Sequence, residues 1–369
     1  MNTGMLSQSP ALSRERPIPS VQVALALGGG AARGLAHIGV IEILDREGIP
    51  VDFIAGSSMG GLIGALRASG LPAENLVEAA RSFRFPRWFL PGGLIKWESL
   101  FPSATSLLAG TFEELSTPLA IAALDLEEGA QVILHRGPLL PAVRASCAVP
   151  GILAPVRLDG RWLVDGGVVN VLPVDVAWMA DPEIVVAVRV GAPRARRMPQ
   201  LEWRFTSLLS RLGGAVPNPA TAKVAFEILT RAAEVLLERQ TALTAAMADP
   251  EVLVEPRLGD LGLRDFHRLD EAVAAGRRAA EEVLPAIERL LKSPPQRAPG
   301  GTRCVNLYFD PVCSMVVNPT RARASLSHEG VVFYFCSPNC LDCFARDPAR
   351  YCSPDRLAFA SGNQASATR

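Results

Sequence analysis

Twice in the first 60 residues a short apolar run enters a glycine-rich turn and emerges as a helical pattern. That repetition restricts the fold more than any other feature of the chain. Val21 to Leu27 (VQVALAL) is continuously apolar, the mark of a strand buried on both faces. It leads into Gly28-Gly29-Gly30-Ala31-Ala32-Arg33-Gly34. Ile38, Ile41 and Leu44 then recur at helical spacing, with Gly48 as a stop. Val51 to Ala55 reads as a second strand. It runs through Gly56-Ser57-Ser58-Met59-Gly60 into a helix reaching Leu66. Strand, helix, strand, helix implies a parallel sheet with crossovers, the α/β class. Further strands are expected at 119–124, 131–134 and 184–190, and helices at 221–247 and 266–291, with Thr221 and Asp270 as candidate caps.

Lys+Arg and Asp+Glu are equal at 37 each, so bulk charge gives no pull toward nucleic acid. Hydrophobic residues at 49% against 20% charged make a globular chain. No uncharged apolar run is long enough to span a bilayer, and residues 1–20 lack the apolar stretch of a signal peptide. They read as a disordered leader, and the protein is expected in the cytoplasm. Residues 83–110 hold Phe83, Phe85, Trp88, Phe89, Trp97 and Phe101 among prolines, suiting either a loop packed over the core or a lipid-facing mouth. Residues 292–303 (KSPPQRAPGGTR) read as a linker. Beyond them Cys304, Cys313, Cys336, Cys340, Cys343 and Cys352 crowd together, whereas Cys147 stands alone. In a reducing compartment such a cluster reads as metal ligands before disulfides.

Three constellations carry chemistry. Gly56-x-Ser58-x-Gly60 lies between strand and helix, the context in which G-x-S-x-G makes a nucleophile elbow. The Gly28–Gly34 turn exposes consecutive backbone N–H groups suited to an anion or oxyanion. A dinucleotide-binding turn is its rival, but the G-x-G-x-x-G spacing fails at Arg33 when counted from Gly28 and at Ala31 from Gly29. The third is Asp165-Gly166-Gly167 at the end of Arg161-Trp162-Leu163-Val164, which also fits an ordinary hairpin turn. A nucleophilic serine usually has a histidine base. Of His37, His135, His267 and His328 none has a supporting motif, and His37 reads as structural. A carboxylate base is favoured.

With these constellations in this order, the chain resembles the patatin-like phospholipases over residues 20–290. The matching stretches are ALALGGGAARGLAHIGVIEIL, IAGSSMGGLIGAL, RASCAVPGILAPVRLDGRWLVDGGVVNVLPV and LGLRDFHRLDEAVAAGRRAA. The resemblance implies a three-layer α/β/α fold with a mostly parallel central sheet over 21–291. It implies a Ser58–Asp165 dyad without histidine. Gly29, Gly30, Ala31 and Arg33 would form the oxyanion region, and Gly28, Gly34, Gly56, Gly60, Gly166 and Gly167 are the motif glycines. Ala31 stands where many members have a fourth glycine, and its N–H survives the change. The implied substrate is a phospholipid or lysophospholipid, or a related acyl ester, met at a membrane surface such as the inner face of the cell membrane. No cofactor is expected for hydrolysis.

The C-terminal part resembles a YHS domain through Asp310-Pro311-Val312-Cys313, Phe333-Tyr334-Phe335-Cys336-Ser337-Pro338-Asn339-Cys340 and Asp347-Pro348-Ala349-Arg350-Tyr351. A small cysteine-rich module over 304–353 is expected, followed by a disordered tail at 354–369. Cys313, Cys336 and Cys340 are candidate ligands for zinc, with copper or iron also open, and Cys343 is a fourth candidate. Three functional readings follow: a serine acyl-ester hydrolase, an acyltransferase or thioesterase on the same site, or a metal- or redox-responsive regulator with an idle hydrolase domain.

Overall fold

The computed structural model describes residues 22–84, 95–191 and 219–295, and, near the C-terminal end, 308–312, 316–317, 324–328, 331–335, 338–348 and 351. The leader at 1–20, the 296–303 part of the linker and the tail at 354–369 lie outside the described residues.

The main sheet has eight strands: β1 (Val23–Leu27), β2 (Phe53–Ser57), β3 (Leu119–Asp125), β4 (Ala130–Leu134), β5 (Val156–Leu158), β6 (Arg161–Asp165), β7 (Ile184–Val188) and β8 (Val252–Val254). Their order is β5-β6-β3-β2-β1-β7-β8, with β4 paired to β3. The run β3-β2-β1-β7-β8 is parallel, and β4, β5 and β6 pair antiparallel. The second strand starts two residues later than its hydrophobic pattern suggests. Asp52, just before it, accepts the Gln22 and Val23 N–H groups at 3.0 Å each and so ties the entry of β2 to that of β1. The three-residue strands β5 and β8 are too short to leave a periodic signal.

Every residue of β1 is fully buried, as its unbroken apolar run demands. Its two faces differ in size. Val23, Leu25 and Leu27 pack into the larger core with the helices α1 (Ala36–Arg46) and α2 (Met59–Ala68) and the long helix Leu269–Lys292. Ala24 and Ala26 face the opposite layer, where the short helix Val174–Trp178 sits on them. The result is three layers, α/β/α, around a mostly parallel sheet. The helix expected at 221–247 occupies Pro219–Ala248. The one expected at 266–291 is a 3₁₀ turn, Phe266–Arg268, followed by Leu269–Lys292. Asp270 lies inside its first turn rather than at the cap, and accepts a hydrogen bond from Arg81 at 3.1 Å.

The aromatic segment packs inward where it is described. Phe83, Trp97 and Phe101 are buried, and Phe101 meets Phe83 edge-on at 5.1 Å and Trp97 at 4.5 Å between ring centroids. Phe85, Trp88 and Phe89 lie outside the described residues. In the C-terminal module the hairpin Ala324–His328 with Val331–Phe335 and the helix Pro338–Arg346 enclose Phe333, Phe335 and Phe344.

Helix α1 and the Leu269–Lys292 helix approach through two glycines. A Cβ at Gly39 would stand 2.0 Å from the Val273 carbonyl oxygen, and one at Gly276 would stand 2.0 Å from that of Ala36. Neither obstacle is a movable side-chain end, so any side chain there must separate the helices. Gly39→Ala should therefore destabilise the fold by about 1–3 kcal/mol, read as a lowered melting temperature. Gly48→Ala, where φ is +66° and nothing lies within 4 Å, should cost only the backbone strain, about 1 kcal/mol. Equal melting of Gly39→Ala and the parent would show the helix contact to be looser than described.

Candidate functional site

Strand β3 has three partners and two edges, and this arithmetic builds the site. β4 pairs with Ile121–Asp125, β2 with Leu119–Ala122, and β6 with Ala123–Asp125. Because β4 overlaps both of the others, β2 and β6 must share the opposite edge. They run toward each other along it. β2 ends with Ser57 opposite Ala122, and β6 ends with Asp165 opposite Ala123. The residue after Ser57 and the last residue of β6 are thus brought face to face. Ser58 Oγ donates to Asp165 Oδ2 at 2.6 Å.

Ser58 holds φ 51° and ψ −123°, a conformation that a side chain rarely adopts. The turn is possible because the flanking positions are bare. A Cβ at Gly60 would lie 2.1 Å from the Leu27 carbonyl oxygen. α2 begins at Met59, so its first N–H groups point toward the serine with no acceptor of their own in the helix. Ser146 Oγ accepts the Ser58 N–H at 2.9 Å and donates to the Ala122 carbonyl at 2.7 Å. The Cys147 thiol donates to the Ser58 carbonyl at 3.2 Å. The serine backbone is held on both sides.

Asp165 is buried, and its second oxygen accepts the Gly167 N–H at 2.7 Å. Burial pushes its pKa up to about 6, while the hydrogen bonds from Ser58 and Gly167 pull the other way. Gly166 cannot carry a side chain, because a Cβ would meet the Ala122 carbonyl oxygen at 2.1 Å. The Asp-Gly-Gly sequence is therefore a strand end joined to a 3₁₀ turn, Gly166–Val168, and not a hairpin.

The glycine-rich turn lies against the serine. A Cβ at Gly29 would sit 3.2 Å from Ser58 Cβ. Its backbone donors are unevenly committed. Gly28 N–H donates to the Val188 carbonyl, Gly29 to Val171 at 2.8 Å, Ala32 to Leu263 and Arg33 to Gly30. Gly29 was expected among the oxyanion donors, but the Val171 carbonyl has taken its N–H. Gly30 and Ala31 have no such acceptor among the described residues. Ala31 takes a positive φ of 46°, so the alanine occupies a position that glycine would fill without strain.

Arg33 departs further from expectation. It lines the cleft, but its guanidinium is buried in a different contact. Nε donates to the Leu261 carbonyl at 3.2 Å and Nη2 to Glu234 Oε1 at 2.8 Å. Gly34 leaves room for Met59, whose side chain a Cβ there would overlap at 2.5 Å. Gly56 packs on Gly61 in the same way, with 2.5 Å from its would-be Cβ to the Gly61 Cα.

No histidine touches Ser58. His37 is fully buried and its Nε2 donates to the Gly28 carbonyl at 2.7 Å. Burial lowers its pKa to about 4, so it stays neutral. Its role is to orient the glycine-rich turn. Cys147, which also lines the cleft, is held as a thiol by burial and by the negative charge of Asp165. Sequence reasoning missed Ser146, Cys147 and Glu234. The first two sit in the RASCAVPG stretch, but partners 88 and 89 residues away leave no local trace.

Above the Ser58–Asp165 contact opens a cleft of about 220 Å³, walled mainly by apolar side chains including Leu100, Phe101, Ile152, Val171, Leu237 and Phe266. An apolar cleft ending at a hydrogen-bonded serine and carboxylate can accept an acyl chain and present its ester to an oxygen nucleophile.

In the C-terminal module, Cys340 is half-buried against the phenylalanine cluster and Cys343, three residues on in the same helix, is exposed. Cys313 and Cys336 lie outside the described residues. No group of three potential ligands converges among the described residues.

The patatin-like phospholipase family model matches residues 25–178, and the YHS domain model matches residues 308–355. An uncharacterized NTE family protein of Mycobacterium tuberculosis is 30% identical over 345 residues, covering 76% of this chain and 96% of that protein. The patatin-like phospholipase domain-containing protein 6 of Mus musculus is 29% identical over 284 residues, which are 71% of this chain and 20% of that much longer one. Among solved structures, VipD from Legionella pneumophila gives a TM-score of 0.41 at 11% identity, over 72% of this chain and 67% of that one. The chain belongs to the patatin-like phospholipase family, whose members are lipid ester hydrolases, and it carries a YHS domain toward its C-terminal end.

Proposed function

We propose that the chain hydrolyses acyl esters of phospholipids or lysophospholipids through an acyl-enzyme on Ser58, with Asp165 as the only base. The observation that carries this reading is the 2.6 Å Ser58–Asp165 contact at the floor of an apolar cleft, with the glycine-rich turn alongside. Ser58 Oγ attacks the ester carbonyl carbon as its proton passes to Asp165 Oδ2. The carbonyl oxygen takes the developing charge and is met by the Gly30 and Ala31 N–H groups, aided by the α2 N-terminus. Collapse breaks the ester C–O bond, and the departing alcohol takes the proton from Asp165. A water then gives its proton to Asp165 and its oxygen to the acyl carbon, and Ser58 leaves reprotonated. The residues need no cofactor for these steps. No helix among the described residues is long and apolar enough to cross a membrane. The proposed substrate is reached at a membrane surface, at the inner face of the cell membrane.

For the C-terminal module we propose a thiophilic metal, zinc first, held by Cys313, Cys336 and Cys340 with Cys343 as a fourth ligand. The support is the cysteine spacing and the placement of Cys340 and Cys343 one turn apart on a helix. Purified reduced protein should carry close to one metal per chain by elemental analysis, and Cys336→Ser should lose it. A chain that stays metal-free after reconstitution with zinc, copper(I) and iron would remove the proposal.

On a chromogenic ester, Ser58→Ala should lose at least about 10³-fold of turnover and Asp165→Asn about 10²–10⁴-fold. Turnover in the parent should rise with pH and level off above about 6, as Asp165 ionises. Near-parental turnover by Asp165→Asn would exclude the dyad. A screen of lipid extracts, read by mass, would name the head group and acyl position.

Stability should move in the opposite direction. The raised pKa of Asp165 means that folding disfavours its ionised form. Its contribution is therefore intact below the unfolded value of 3.8 and lost as pH rises through about 6. Asp165→Asn removes that cost. The variant should be more stable than the parent above about pH 6, by up to about 3 kcal/mol, and equal to it near pH 4. Denaturant melts at the two pH values measure this. A variant less stable at both would mean that the carboxylate is better solvated than its burial indicates.

A further inference from the structure

We propose that Glu234 is a positioning residue for the hydrolysis, acting through Arg33 to hold the turn that presents the Gly30 and Ala31 N–H groups to Ser58. This rests on the reading of Ser58 and Asp165 given above.

The Pro219–Ala248 helix covers the cleft, and Glu234, Leu237 and Thr241 face into it. At its middle, Glu234 is buried, with Oε1 on Arg33 Nη2 at 2.8 Å and Oε2 on Arg231 Nη1 at 3.0 Å. Arg33 is buried as well, and its Nε is bound to the Leu261 carbonyl. Arg33 belongs to the 3₁₀ turn Ala31–Leu35, and its N–H bonds back to the Gly30 carbonyl at 3.0 Å. Residues 30 to 33 thus form one bonded unit that ends in the guanidinium.

That unit is under strain. Ala31 holds φ 46°, and a strained residue persists only where its surroundings overdetermine it. Its neighbours fix the turn at several points. His37 holds the Gly28 carbonyl, Leu263 takes the Ala32 N–H at 3.1 Å, and Arg33 is clamped between Leu261 and Glu234. The Glu234 contact ties the turn to the helix that covers the cleft. The same helix reaches the segment after Asp165, where the Gln240 side chain donates to the Val169 carbonyl. A single helix therefore braces the oxyanion side and the base side of the site. Oxyanion donors act only when aimed where the charge develops, so slack in this turn would slow the chemical step while leaving the apolar cleft to bind acyl chains as before.

The test compares Glu234→Gln, Arg33→Met and the double Arg33→Met/Glu234→Met with the parent in the full chain, using a chromogenic ester. Glu234→Gln should lower kcat about 10-fold or more with KM within about twofold. Arg33→Met/Glu234→Met should be no slower than Arg33→Met, because the proposed positioning runs through the Arg33 contact. The double variant also keeps the test open if Glu234→Gln fails to fold, since it exchanges both buried charges for apolar groups of similar size and leaves only Arg231, which is part-exposed, without its partner. Amide hydrogen exchange over residues 28–35 should quicken in all three variants. Three results would overturn the proposal: kcat within twofold of the parent in the folded variants, losses that multiply in the double variant, or unchanged exchange in the turn. Ser58→Ala is run alongside. Full activity there would overturn the hydrolase reading instead, and exchange alone would then decide whether Glu234 fixes the turn.

Discussion

The edge of β3 is the element on which the site depends. A strand offers one edge to one neighbour in most sheets. Here that edge is divided, the parallel β2 taking Leu119–Ala122 and the antiparallel β6 taking Ala123–Asp125. Two strands meeting head to head deliver two chain ends to one point, and Ser58 and Asp165 are those ends. The Ala122 carbonyl lies at the junction. It accepts from Ser146, whose hydroxyl also holds the Ser58 N–H, and it lies so close to Gly166 that no side chain fits there. A one-residue slip of either strand would turn Ser58 or Asp165 to the opposite face of the sheet.

Such an arrangement costs stability locally. Ser58 and Ala31 both sit at positive φ, strain of about 1–3 kcal/mol each. Asp165 is buried with its ionised form disfavoured. The Arg33–Glu234 pair is buried too, and taking two charges out of water offsets much of their attraction. These features cluster within the site, and the large apolar core on the α1, α2 and Leu269–Lys292 side surrounds them. The close approach of helices at Gly39 and Gly276 belongs to that rigid side. The same separation of a strained site from an ordinary core is why removing the Asp165 carboxylate is expected to slow the reaction and stabilise the fold together.

What was legible in the sequence was local. The buried strand at 21–27, the elbow around Ser58 and the Asp-Gly-Gly end of β6 each lie within about ten consecutive residues whose periodicity and glycine placement carry the signal. What was illegible was set by contacts between distant segments. Nothing local marks Ser146 as the partner of the Ser58 N–H, or Glu234 as the partner of an arginine 201 residues earlier. The oxyanion set shows the limit most clearly. The N–H groups of Gly29, Gly30 and Ala31 look alike in the sequence, and only the Val171 carbonyl, brought in by the chain that follows Asp165, removes Gly29 from the set. The Asp-Gly pair had two readings for a related reason. It suits a hairpin by composition, and the β3 backbone crossing beside Gly166 decides otherwise.

A serine paired with a carboxylate and no imidazole sets a narrow requirement on burial. An aspartate in water, with a pKa near 4, is too weak a base to take much of a serine proton. Full desolvation without hydrogen bonds would raise it far enough to leave it protonated at neutral pH, and a protonated base cannot act. The strand end supplies an intermediate environment. Burial raises Asp165, the Gly167 N–H and the Ser58 hydroxyl draw it back, and the balance falls at about 6. At pH 7 the carboxylate is then mostly ionised, and it is a stronger base than an exposed aspartate. His37 has the imidazole chemistry that Asp165 lacks, but it is sealed on the Gly28 carbonyl and held neutral. In this fold the histidine serves the turn, and the proposed proton transfer falls to a carboxylate whose strength is set by the depth at which β6 ends.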